Sequence, residues 1–574
     1  MSGPDPDATC DVLVVGSGAG GMAAAVTAGL LGLEVMVVEK APVFGGTTAW
    51  SGGWLWIPCN THVRRAGKAD SLEAARSYLE AEIGPGFDPD KADAYLRHGP
   101  AMVDFLERHE CMRFQPGLGV PDFHHDSPGA SVGRLVGAVP LHGDELGNLL
   151  GTLRAPMREM TIAGMAVASG QDMQLLAAAG RSPAAFLYAT RRFCRYWLHR
   201  LRYGRDAWLV NGNALAARLG RSLQTLGISL QLSTRAVELR RHDGAVTGVR
   251  LRSPSGEREV IARRGVILAT GGFGQDSELR DRYFPPSGNA HGHLSIVTEG
   301  STGDGLRLAR ELGGSIREGL AAAGGLIPVS LIPRGDGTTG RFPHFTDRAK
   351  PGVIAVTAAG RRFVNEAEPY HDFVQALYRS ADSAGEVAAY LICDHRCLRR
   401  YGLGYVKPRP VPIRHHLASG YLKRGWTLEE LATATGIDRD GLRQTADAYN
   451  AGARRGEDPA YHRGSTPYNR ALGDPECRPN PCVAPLEQPP YYAVKVYPGS
   501  LSTFIGLHTD RHARVLDGEN APIPGLYAVG NDMASLGAGV YPSGGVTLGS
   551  AMTFAYLAAH HLAGREPAAL EPGG

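Results

Sequence analysis

Residues 11–39 read "DVLVVGSGAGGMAAAVTAGLLGLEVMVVE", and this stretch decides the fold. An apolar run enters the pattern Gly16-x-Gly18-x-x-Gly21, an alanine-rich segment follows, and a second apolar run ends at the acidic residue Glu39. This order of strand, glycine turn, helix and strand is typical of a dinucleotide-binding unit, in which glycines permit a tight turn and a close approach of pyrophosphate. The sequence therefore predicts an α/β protein with a Rossmann-type domain, in which Glu39 accepts the adenosine ribose hydroxyls.

Further glycine-rich junctions indicate which dinucleotide is bound. The segment 45–53 reads "GGTTAWSGG", and apolar runs end in glycines at 265–273, "GVILATGGF", and at 525–532, "GLYAVGND". Three strand-to-glycine junctions spread along 574 residues favour one discontinuous FAD domain over a compact NAD domain. We expect Asp532 to lie near the flavin ribitol. The residues expected to contact FAD are Gly16, Gly18, Ala19, Gly20, Gly21, Glu39, Lys40, Gly46, Thr47, Thr48, Ser51, Gly52, Gly53, Val237, Ala269, Thr270, Gly271, Asp304, Gly530, Asn531, Asp532, Gly545, Val546 and Leu548.

The composition excludes several classes of function. The 60 basic and 57 acidic residues nearly balance, which gives no electrostatic basis for binding nucleic acid. The eight cysteines form neither a disulfide framework nor the paired spacing of a zinc site, so no metal site is predicted. The N-terminus "MSGPDPDATC" lacks the features of a signal peptide, and no stretch reaches the roughly 20 apolar residues of a membrane span. We therefore expect a cytoplasmic enzyme.

The combination of motifs resembles a known superfamily over nearly the whole chain. The glycine pattern with its acidic residue, followed by GGTT, SGG, ATGGF, TGDG (302–305), RRFVNE (361–366) and YAVGN, is similar to the fumarate reductase/succinate dehydrogenase flavoproteins. Members that hold FAD covalently carry a histidine where this chain has Thr47, so the resemblance implies non-covalent FAD. It also implies an FAD-binding domain formed by residues 1–297 and 488–574, with a helical insertion at about 143–208. Between them, residues 298–487 would form an inserted α+β catalytic (cap) domain.

Within that superfamily, three strings resemble the 3-ketosteroid Δ1-dehydrogenases. These are "NEAEPY" (365–370), "YPSGG" (541–545) and "AMTFAYLAA" (551–559). The resemblance implies that Tyr370 removes an α-proton, that the Tyr541 hydroxyl and the Gly545 N–H hold the ketone oxygen, and that flavin N5 accepts a hydride. Glycines at a loop-to-helix junction suit that role, because they let backbone N–H groups approach a ligand at a helix N-terminus. The implied substrate is a hydrophobic cyclic ketone, with a 3-ketosteroid oxidised at C1–C2 as the first expectation, and the electron acceptor is not identified.

Two departures from the family pattern bear on the site. Relatives commonly have glycine where this chain has Ser543, beside the expected ketone position. They also carry a tyrosine thought to relay protons in the N-terminal half, where "VPDFHHDSPG" offers Phe123, His124 and His125 instead. If a relay exists here, a histidine or a water molecule would have to serve.

Three other functions remain open at this stage. A desaturase of a smaller cyclic ketone would use the same three residues, with Trp54 and Trp56 as candidate walls of a smaller pocket. A fumarate-reductase-like enzyme acting on an unsaturated acid would need an arginine pair at the flavin. A flavin-binding protein without turnover would bind FAD and leave a ketone unchanged.

The segment at about 181–205 mixes apolar and aromatic residues with arginines. Pro183 suits a helix start, and the pattern predicts a basic amphipathic helix. We interpret it first as an arginine-rich surface helix or a subunit contact. Peripheral contact with an anionic membrane is the alternative, because a sterol-like substrate would partition into lipid.

Overall fold

The computed structural model describes residues 8–180, 182–288, 290–381 and 385–570. The residues outside this description are 1–7, 181, 289, 382–384 and 571–574. All of them fall within the predicted domain ranges, and residue 181 also falls within the basic segment. The strands are β1 (Ala8–Val15), β2 (Val35–Val38), β3 (Trp54–Trp56), β4 (Phe114–Pro116), β5 (Leu135–Ala138), β6 (Leu141–His142), β7 (Trp208–Leu209), β8 (Ser229–Gln231), β9 (Arg235–His242), β10 (Ala245–Ser253), β11 (Gly256–Leu268), β12 (Leu294–Ser295), β13 (Ile316–Arg317), β14 (Gly324–Pro333), β15 (Thr339–Pro343), β16 (Val353–Val356), β17 (Ala389–Cys393), β18 (Lys423–Gly425), β19 (Tyr491–Thr503), β20 (Gly506–Leu507), β21 (Arg514–Leu516) and β22 (Pro522–Ala528). The helices are α1 (Ala19–Leu30), α2 (Thr61–Arg65), α3 (Leu72–Ile83), α4 (Pro89–Arg108), α5 (Gln171–Ala177), α6 (Pro183–Tyr203), α7 (Asn211–Thr225), α8 (Ser277–Tyr283), α9 (Asp304–Glu311), α10 (Tyr370–Ser380), α11 (His395–Tyr401), α12 (Arg414–Ala418), α13 (Leu428–Thr435), α14 (Arg439–Ala453), α15 (Pro467–Leu472) and α16 (Val546–Ala563).

The first sheet is assembled from distant parts of the chain. Its eight strands include the path β21-β22-β11-β1-β2-β8, and β10 joins β9 to β11. The strand β1 pairs in parallel with β2 and β11, and β11 pairs in parallel with β22. A parallel core buried between helices matches the continuous apolar runs of these strands. The predicted α/β fold with a discontinuous Rossmann-type domain is confirmed.

The helices α1 and α16 form the layer that carries the glycine loops. Both are rich in alanine and almost entirely buried, which is the behaviour expected of a helix that is apolar on all sides. They pack against each other over one face of the first sheet, so the N-terminus of α1 and the N-terminus of α16 belong to one buried layer. The loops that precede these two helices are therefore held by the most buried part of the molecule.

A second sheet forms the core of the cap, by which we mean this sheet with the helices α10–α15. Its strands follow the order β15-β14-β19-β17-β16, and β12 and β18 also pair with β19. The strands β12 and β19 lie outside the predicted cap range 298–487, at its two sides. The exact domain boundaries therefore stay a prediction, whereas the presence of an inserted α+β unit is plain from the two separate sheets.

The described part of the insertion at 143–208 consists of two 3₁₀ segments and the helices α5 and α6, joined by loops, and it ends at the start of β7. The 21-residue helix α6 begins after Ser182, whose side chain accepts a hydrogen bond from the Ala185 N–H. Small and ring-bearing side chains such as Ala189 and Tyr196 face inward, and the opposite face is exposed. Among the described residues, no helix has the length and apolarity needed to cross a membrane.

Candidate active site

The first glycine loop packs against the end of β11. Gly16 has a φ of +113°, and a Cβ atom at this residue would lie 2.2 Å from the carbonyl oxygen of Ala269. A side chain here would thus break the contact between the two loops. Gly18 is the N-cap of α1, and the space beside it stays open as far as Thr48. The Thr48 Oγ1 accepts a hydrogen bond from the Ala19 N–H at 2.9 Å. The loop therefore leaves a gap at a helix N-terminus, which is where a pyrophosphate is expected to bind.

The second glycine segment runs beside this gap. Gly46, Thr47 and Thr48 lie in a short 3₁₀ helix, and a Cβ atom at Gly46 would lie 3.6 Å from the Cα of Gly18. The Thr47 Oγ1 accepts a hydrogen bond from the Thr298 N–H at 3.1 Å. This contact joins the FAD-binding part of the chain to the residues that lead into the cap.

A neighbouring hydrogen-bond network fixes the SGG motif. The Ser51 hydroxyl donates to the Thr48 carbonyl at 2.8 Å and accepts from the Gly53 N–H at 3.1 Å. The Ser51 carbonyl accepts from the Gly212 N–H at 3.0 Å. Gly52 lies between these anchored residues, next to the start of β3. The motif is therefore held on both sides.

The acidic residues expected at the cofactor have protein partners. The Glu39 carboxylate accepts hydrogen bonds from the Ser17 hydroxyl at 2.6 Å and from the Ala41 N–H at 2.9 Å. Lys40 forms an ion pair with Asp304 at 2.7 Å. Glu39 still lies at the C-terminal end of β2, where an acidic residue meets an adenosine ribose in this fold. Its contact with FAD stays a prediction.

Asp532 joins the loops that follow β11 and β22. It is fully buried, and its carboxylate accepts from the Thr270 N–H at 2.5 Å, the Thr270 hydroxyl at 2.9 Å and the Gly272 N–H at 2.9 Å. Burial raises the pKa of this carboxyl, against the effect of those hydrogen bonds. The structure thus gives Asp532 a role in joining two loops, and its predicted proximity to the ribitol is not tested by these contacts.

Other expected cofactor residues border the same cleft. This cleft in front of α16 is partly open to solvent and holds about 310 Å³ of empty space. Gly530, Asn531 and Val546 line it, together with Phe504. An open helix N-terminus, two glycine segments and a cleft lined by both apolar and polar side chains are features that suit an FAD molecule, so the residues present fit this cofactor. Of the remaining expected residues, α1 contains Gly20 and Gly21, β9 contains Val237, the loop after β11 contains Gly271 and α16 contains Leu548, and their contacts with FAD stay predictions.

Tyr370 and Tyr541 meet at the boundary between the cap and the first sheet. Tyr370 is the first residue of α10, and its ring centroid lies 5.7 Å from that of Tyr541. The Tyr541 hydroxyl interacts with the Tyr370 hydroxyl, with the Thr547 side chain and with the Gly545 N–H. The three residues predicted for catalysis are therefore brought together, although 170 positions separate the two tyrosines in the sequence.

Gly545 occupies a position that only glycine can fill. Its φ is +92°, and a Cβ atom would lie 2.7 Å from the carbonyl oxygen of Trp54. Its own carbonyl accepts a hydrogen bond from the Trp56 N–H at 3.1 Å. The residue is the N-cap of α16, so its N–H lies at the positive end of an 18-residue helix. This geometry presents a backbone donor to the space beside Tyr541.

The environment of Tyr370 opposes its ionisation. Burial raises the pKa of Tyr370 well above its usual value, and the interaction with Tyr541 raises it further, while the Arg348 charge acts in the opposite direction. Burial also raises the pKa of Tyr541, against hydrogen bonds from Tyr370, Thr547 and Gly545. Tyr370 is therefore neutral at ordinary pH, and it accepts a proton from a substrate only if its own hydroxyl proton leaves.

Aromatic rings surround the two tyrosines. The ring of Phe123 lies 5.5 Å from that of Tyr370 and 5.7 Å from that of Tyr541, both edge to face. Sequence reasoning placed Phe123 in this region but missed the other rings, because they come from unrelated parts of the chain with no shared motif. These are Phe345 and Tyr468 from the cap and Phe504 from the loop after β19.

The two tryptophans predicted as pocket walls and Ser543, which differs from the family pattern, have different surroundings. Trp56 is fully buried, and its indole N–H donates to Asp122 at 2.7 Å. Trp54 is partly exposed and contacts Gly545 through its backbone. Ser543 is 1% exposed and lies between the residues that supply the two donors. The Trp54 ring lies beside Gly137 of β5, where a Cβ atom would lie 2.9 Å from it, so the role of either tryptophan as a pocket wall stays a prediction.

These features define a flavoprotein oxidoreductase, and comparison with known proteins identifies its family. The model of the FAD binding domain family matches residues 11–548. The chain is 40% identical to a 4-oxocyclohex-2-ene-1-carboxylate 5-dehydrogenase of Sinomonas cyclohexanicum, over 96% of this chain and 94% of the relative. It is 36% identical to a 3-oxosteroid 1-dehydrogenase of Mycobacterium tuberculosis, over 96% and 98%.

A solved structure agrees with these sequence matches. The 3-ketosteroid Δ1-dehydrogenase of Sterolibacterium denitrificans, in complex with 1,4-androstadiene-3,17-dione, superposes with a TM-score of 0.88 at 35% identity, covering 97% of this chain and 99% of that one. The chain therefore belongs to the FAD binding domain family, as a 3-ketosteroid Δ1-dehydrogenase-like member of the fumarate reductase/succinate dehydrogenase flavoproteins. The expectations of this family and of FAD are confirmed.

The attachment of the cofactor is open to a direct test. Because a threonine, Thr47, stands at the position of the covalent histidine, we expect acid or heat to release all FAD without protease treatment. The measurement is flavin fluorescence of the supernatant and of the denatured chain in a gel. Fluorescence that migrates with the denatured chain would contradict non-covalent binding.

Proposed function

We propose that the protein oxidises two adjacent carbons of a cyclic ketone to a C=C bond next to the carbonyl. The observation that carries this proposal is the convergence of the Tyr541 hydroxyl and the Gly545 N–H beside the buried hydroxyl of Tyr370. One point of the site thus has two donors for a developing oxyanion and a candidate base. Such an arrangement suits removal of a proton from the carbon next to a carbonyl.

The donors have a defined task in this reaction. A ketone oxygen brought to Tyr541 accepts hydrogen bonds from the phenol and from Gly545, and both strengthen as negative charge develops on that oxygen. Each donor of this kind contributes on the order of 3 kcal/mol to the transition state. The N-terminus of α16 adds a favourable potential at the same point. When bound, FAD supplies the hydride acceptor.

Tyr370 takes the α-proton in this scheme. Its burial keeps the phenol neutral, so the phenol first passes its hydroxyl proton to solvent through a histidine or a water molecule and then takes the substrate proton. The surrounding rings of Phe123 and Phe345 exclude water from the reacting carbons. Exclusion of water strengthens the electrostatic contribution of the two donors.

For the substrate we propose a 3-ketosteroid oxidised at C1–C2. The 3-oxosteroid relative and the steroid-bound structure, each matched over nearly the whole chain, support this assignment. A second candidate is a smaller oxocyclohexene or oxocyclohexane carboxylate, which the names of a 40% identical and a 36% identical relative favour. A cyclohexanone ring presents the same ketone and α-carbon to Tyr370 and Tyr541, so the reaction is the same for both candidates.

Anaerobic titration distinguishes these candidates. We expect 4-androstene-3,17-dione to bleach the visible absorption band of the bound flavin in a single turnover, with the 1,4-diene as product. The same titration with 4-oxocyclohexanecarboxylate tests the second candidate. Bleaching by the carboxylate alone would replace the steroid assignment, and no bleaching by either ketone would favour a flavin-binding protein without turnover.

The reductase alternative has less support. Arg348 is the arginine whose charge acts on Tyr370, and it is fully buried. Its guanidinium donates to the backbone carbonyls of His344, Phe345, Glu366 and Glu368. A guanidinium that already donates to four carbonyl groups is poorly placed to bind a dicarboxylate. Binding of a dicarboxylate requires free and permanently charged donors.

We further propose that α6 contacts an anionic lipid surface, which would bring the enzyme to an apolar substrate. Five of the nine large apolar side chains exposed on the described part of the chain lie on this helix, with exposed fractions between 57% and 83%. These are Phe186, Leu187, Trp197, Leu198 and Leu201. Exposed arginines lie beside them, and α6 has no acidic residue. This combination suits binding in the plane of a lipid interface. A cytoplasmic location otherwise stays a prediction.

Flotation with vesicles measures this contact. We expect the protein to float with vesicles that contain phosphatidylserine, and the double substitution Trp197→Ser/Leu201→Ser to weaken this binding about tenfold through lost apolar burial. Trp426→Ser is the matched control, because Trp426 is 60% exposed on the cap. Equal flotation of both variants, or no binding to any vesicle together with a dimer in solution, would favour the subunit-contact interpretation.

A further inference from the structure

His124 lies between two carboxylates next to the candidate active site. Its Nε2 is 2.7 Å from the Asp372 Oδ2, and its Nδ1 makes a short contact with the Glu82 Oε2. The second oxygen of Glu82 accepts from the Ser127 hydroxyl. The Glu82 side chain is 8% exposed, and those of His124 and Asp372 are 28% exposed. The three side chains therefore form a largely desolvated group.

This geometry fixes the charge of the imidazole ring. A neutral imidazole has one donor and one acceptor, whereas ionised carboxylates only accept, so both contacts are satisfied only by the doubly protonated ring. Burial lowers the pKa of His124, but hydrogen bonds with Asp372 and Glu82 and their charges outweigh burial and raise the pKa to about 10. The group at neutral pH is thus a cation held between two anions.

The two carboxylates belong to different parts of the molecule. Glu82 is on α3, within the N-terminal FAD-binding part, whereas Asp372 is in the first turn of α10 in the cap, two residues after Tyr370. His124 therefore ties the start of α10 to α3. Within the described residues, the group of Glu82, His124 and Asp372 is a charged contact between the cap and the N-terminal part, and it lies next to Tyr370.

The same segment also supports the loop that carries Tyr541. The Phe123 N–H donates to the Pro542 carbonyl at 3.3 Å. The His124 N–H donates to the Tyr78 hydroxyl at 3.3 Å, which in turn donates to the Pro542 carbonyl at 2.6 Å. Residues 123–124 thus hold the base on one side and the oxyanion donor on the other.

We infer that His124 is a positioning residue, which as an imidazolium between Glu82 and Asp372 fixes Tyr370 relative to Tyr541 and Gly545. The inference rests on the proposed function only for the assignment of Tyr370 as the base. A rigid link at this point matters because a displacement of about 1 Å in a reacting group can lower a rate by about a hundredfold. His124 does not itself touch the reacting atoms.

The link weakens at alkaline pH. Besides Glu82 and Asp372, the groups that interact with the His124 charge are Glu368, just before α10, and His371. Since the pKa of His124 is raised from 6.5 to about 10 in the folded protein, its contribution is fully present below pH 6.5 and is lost as the pH rises through about 10. Burial lowers the pKa of His371 to about 4, so this neighbour does not titrate in the upper part of that range.

Hydrogen exchange measures the link without substrate. We expect His124→Gln and Asp372→Asn, each in the FAD-loaded protein, to increase exchange of the backbone amides of α10 by about tenfold, while the amides of β1 and α1 stay protected. His125→Gln is the matched control, because His125 is the exposed neighbour of the same type. Correction for intrinsic exchange allows the exchange rates to be compared at pH 7 and pH 9.5. The difference in the exchange rates of the α10 amides between wild type and His124→Gln should be smaller at the higher pH.

Kinetics with an α-deuterated ketone add a readout that general destabilisation would not change. We expect kcat to fall about tenfold in His124→Gln with KM little altered, and the isotope effect on kcat to increase, since proton removal becomes slower. The double variant His124→Gln/Asp372→Asn should lose little more than either single variant, because both substitutions break one link.

Two results would overturn the inference. One is wild-type protection of α10 in both single variants, which would show that the ion group does not hold the helix. The other is an equal loss of protection across β1, α1 and α10, which would make His124 a general stability residue. If Tyr370→Phe retains activity while exchange at α10 still depends on His124, the assignment of Tyr370 as the base fails and the link stands.

Discussion

Tyr370→Phe is expected to lower turnover at least about a hundredfold while FAD stays bound. The substitution keeps the ring and its edge-to-face contacts with Phe123 and Phe345, so packing at the start of α10 should not change. It removes the only oxygen of this side chain, and with it the group that takes the α-proton. The measurement is kcat in steady state and the rate of flavin bleaching in a single anaerobic turnover.

The control for this variant comes from the same helix. Tyr378 also lies on α10, is largely buried, and contacts His293 through its hydroxyl at 3.2 Å. Tyr378→Phe should retain turnover within about threefold of the wild type, because its hydroxyl is not at the reacting carbons. If Tyr370→Phe bleaches as fast as Tyr378→Phe, a different group takes the proton.

Tyr541→Phe is expected to lower kcat/KM by roughly a hundred- to a thousandfold, the usual effect of removing one oxyanion donor. The Gly545 N–H and the N-terminus of α16 remain, so some catalysis persists. Because the phenol also binds the ketone in the ground state, part of the loss should appear as weaker binding. This distinguishes Tyr541 from Tyr370, whose substitution should leave ketone affinity nearly unchanged.

Equilibrium binding of the product dienone separates the two effects. We expect Tyr541→Phe to weaken this binding by about tenfold, consistent with the net worth of one hydrogen bond to a buried carbonyl. Tyr527→Phe is a suitable control, since that hydroxyl contacts His561 at 2.8 Å, away from the ring cluster around Tyr541. Unchanged affinity together with unchanged turnover in Tyr541→Phe would remove this tyrosine from the oxyanion site.

The fold and the cofactor could be predicted because their signals are local. The stretch from Asp11 to Glu39 contains a strand, a turn, a helix and a second strand within 29 residues, and the structure has each of them. Steric demands of this kind act between near neighbours, so one chain suffices to recognise them. The junctions at Thr270 and Asp532 were found in the same way.

The remaining parts of the site depend on contacts between distant residues. Tyr468 and Phe345 carry no motif, and their place beside Phe123 and Tyr370 follows from how α15 and the loop after β15 pack in the cap. The hydrogen-bond partners of Asp532 could not be predicted either, because its position in a glycine-rich junction does not show that its carboxylate accepts from Thr270. The pairing of His124 with Asp372 spans 248 positions. Only the folded chain brings such groups together.

The pairing of β11 with β22 sets an order of events on the ribosome. The two strands are neighbours in the first sheet, yet 253 residues lie between the end of β11 at Leu268 and the start of β22 at Pro522. At about 5–20 residues per second, that interval lasts roughly 13 to 50 s. The entire cap is synthesised during this time, while the nascent chain exposes an unpaired edge of β11 and leaves Thr270 without Asp532. The flavin site is therefore completed last, and the half-made sheet is the stage of biosynthesis that most needs protection by chaperones.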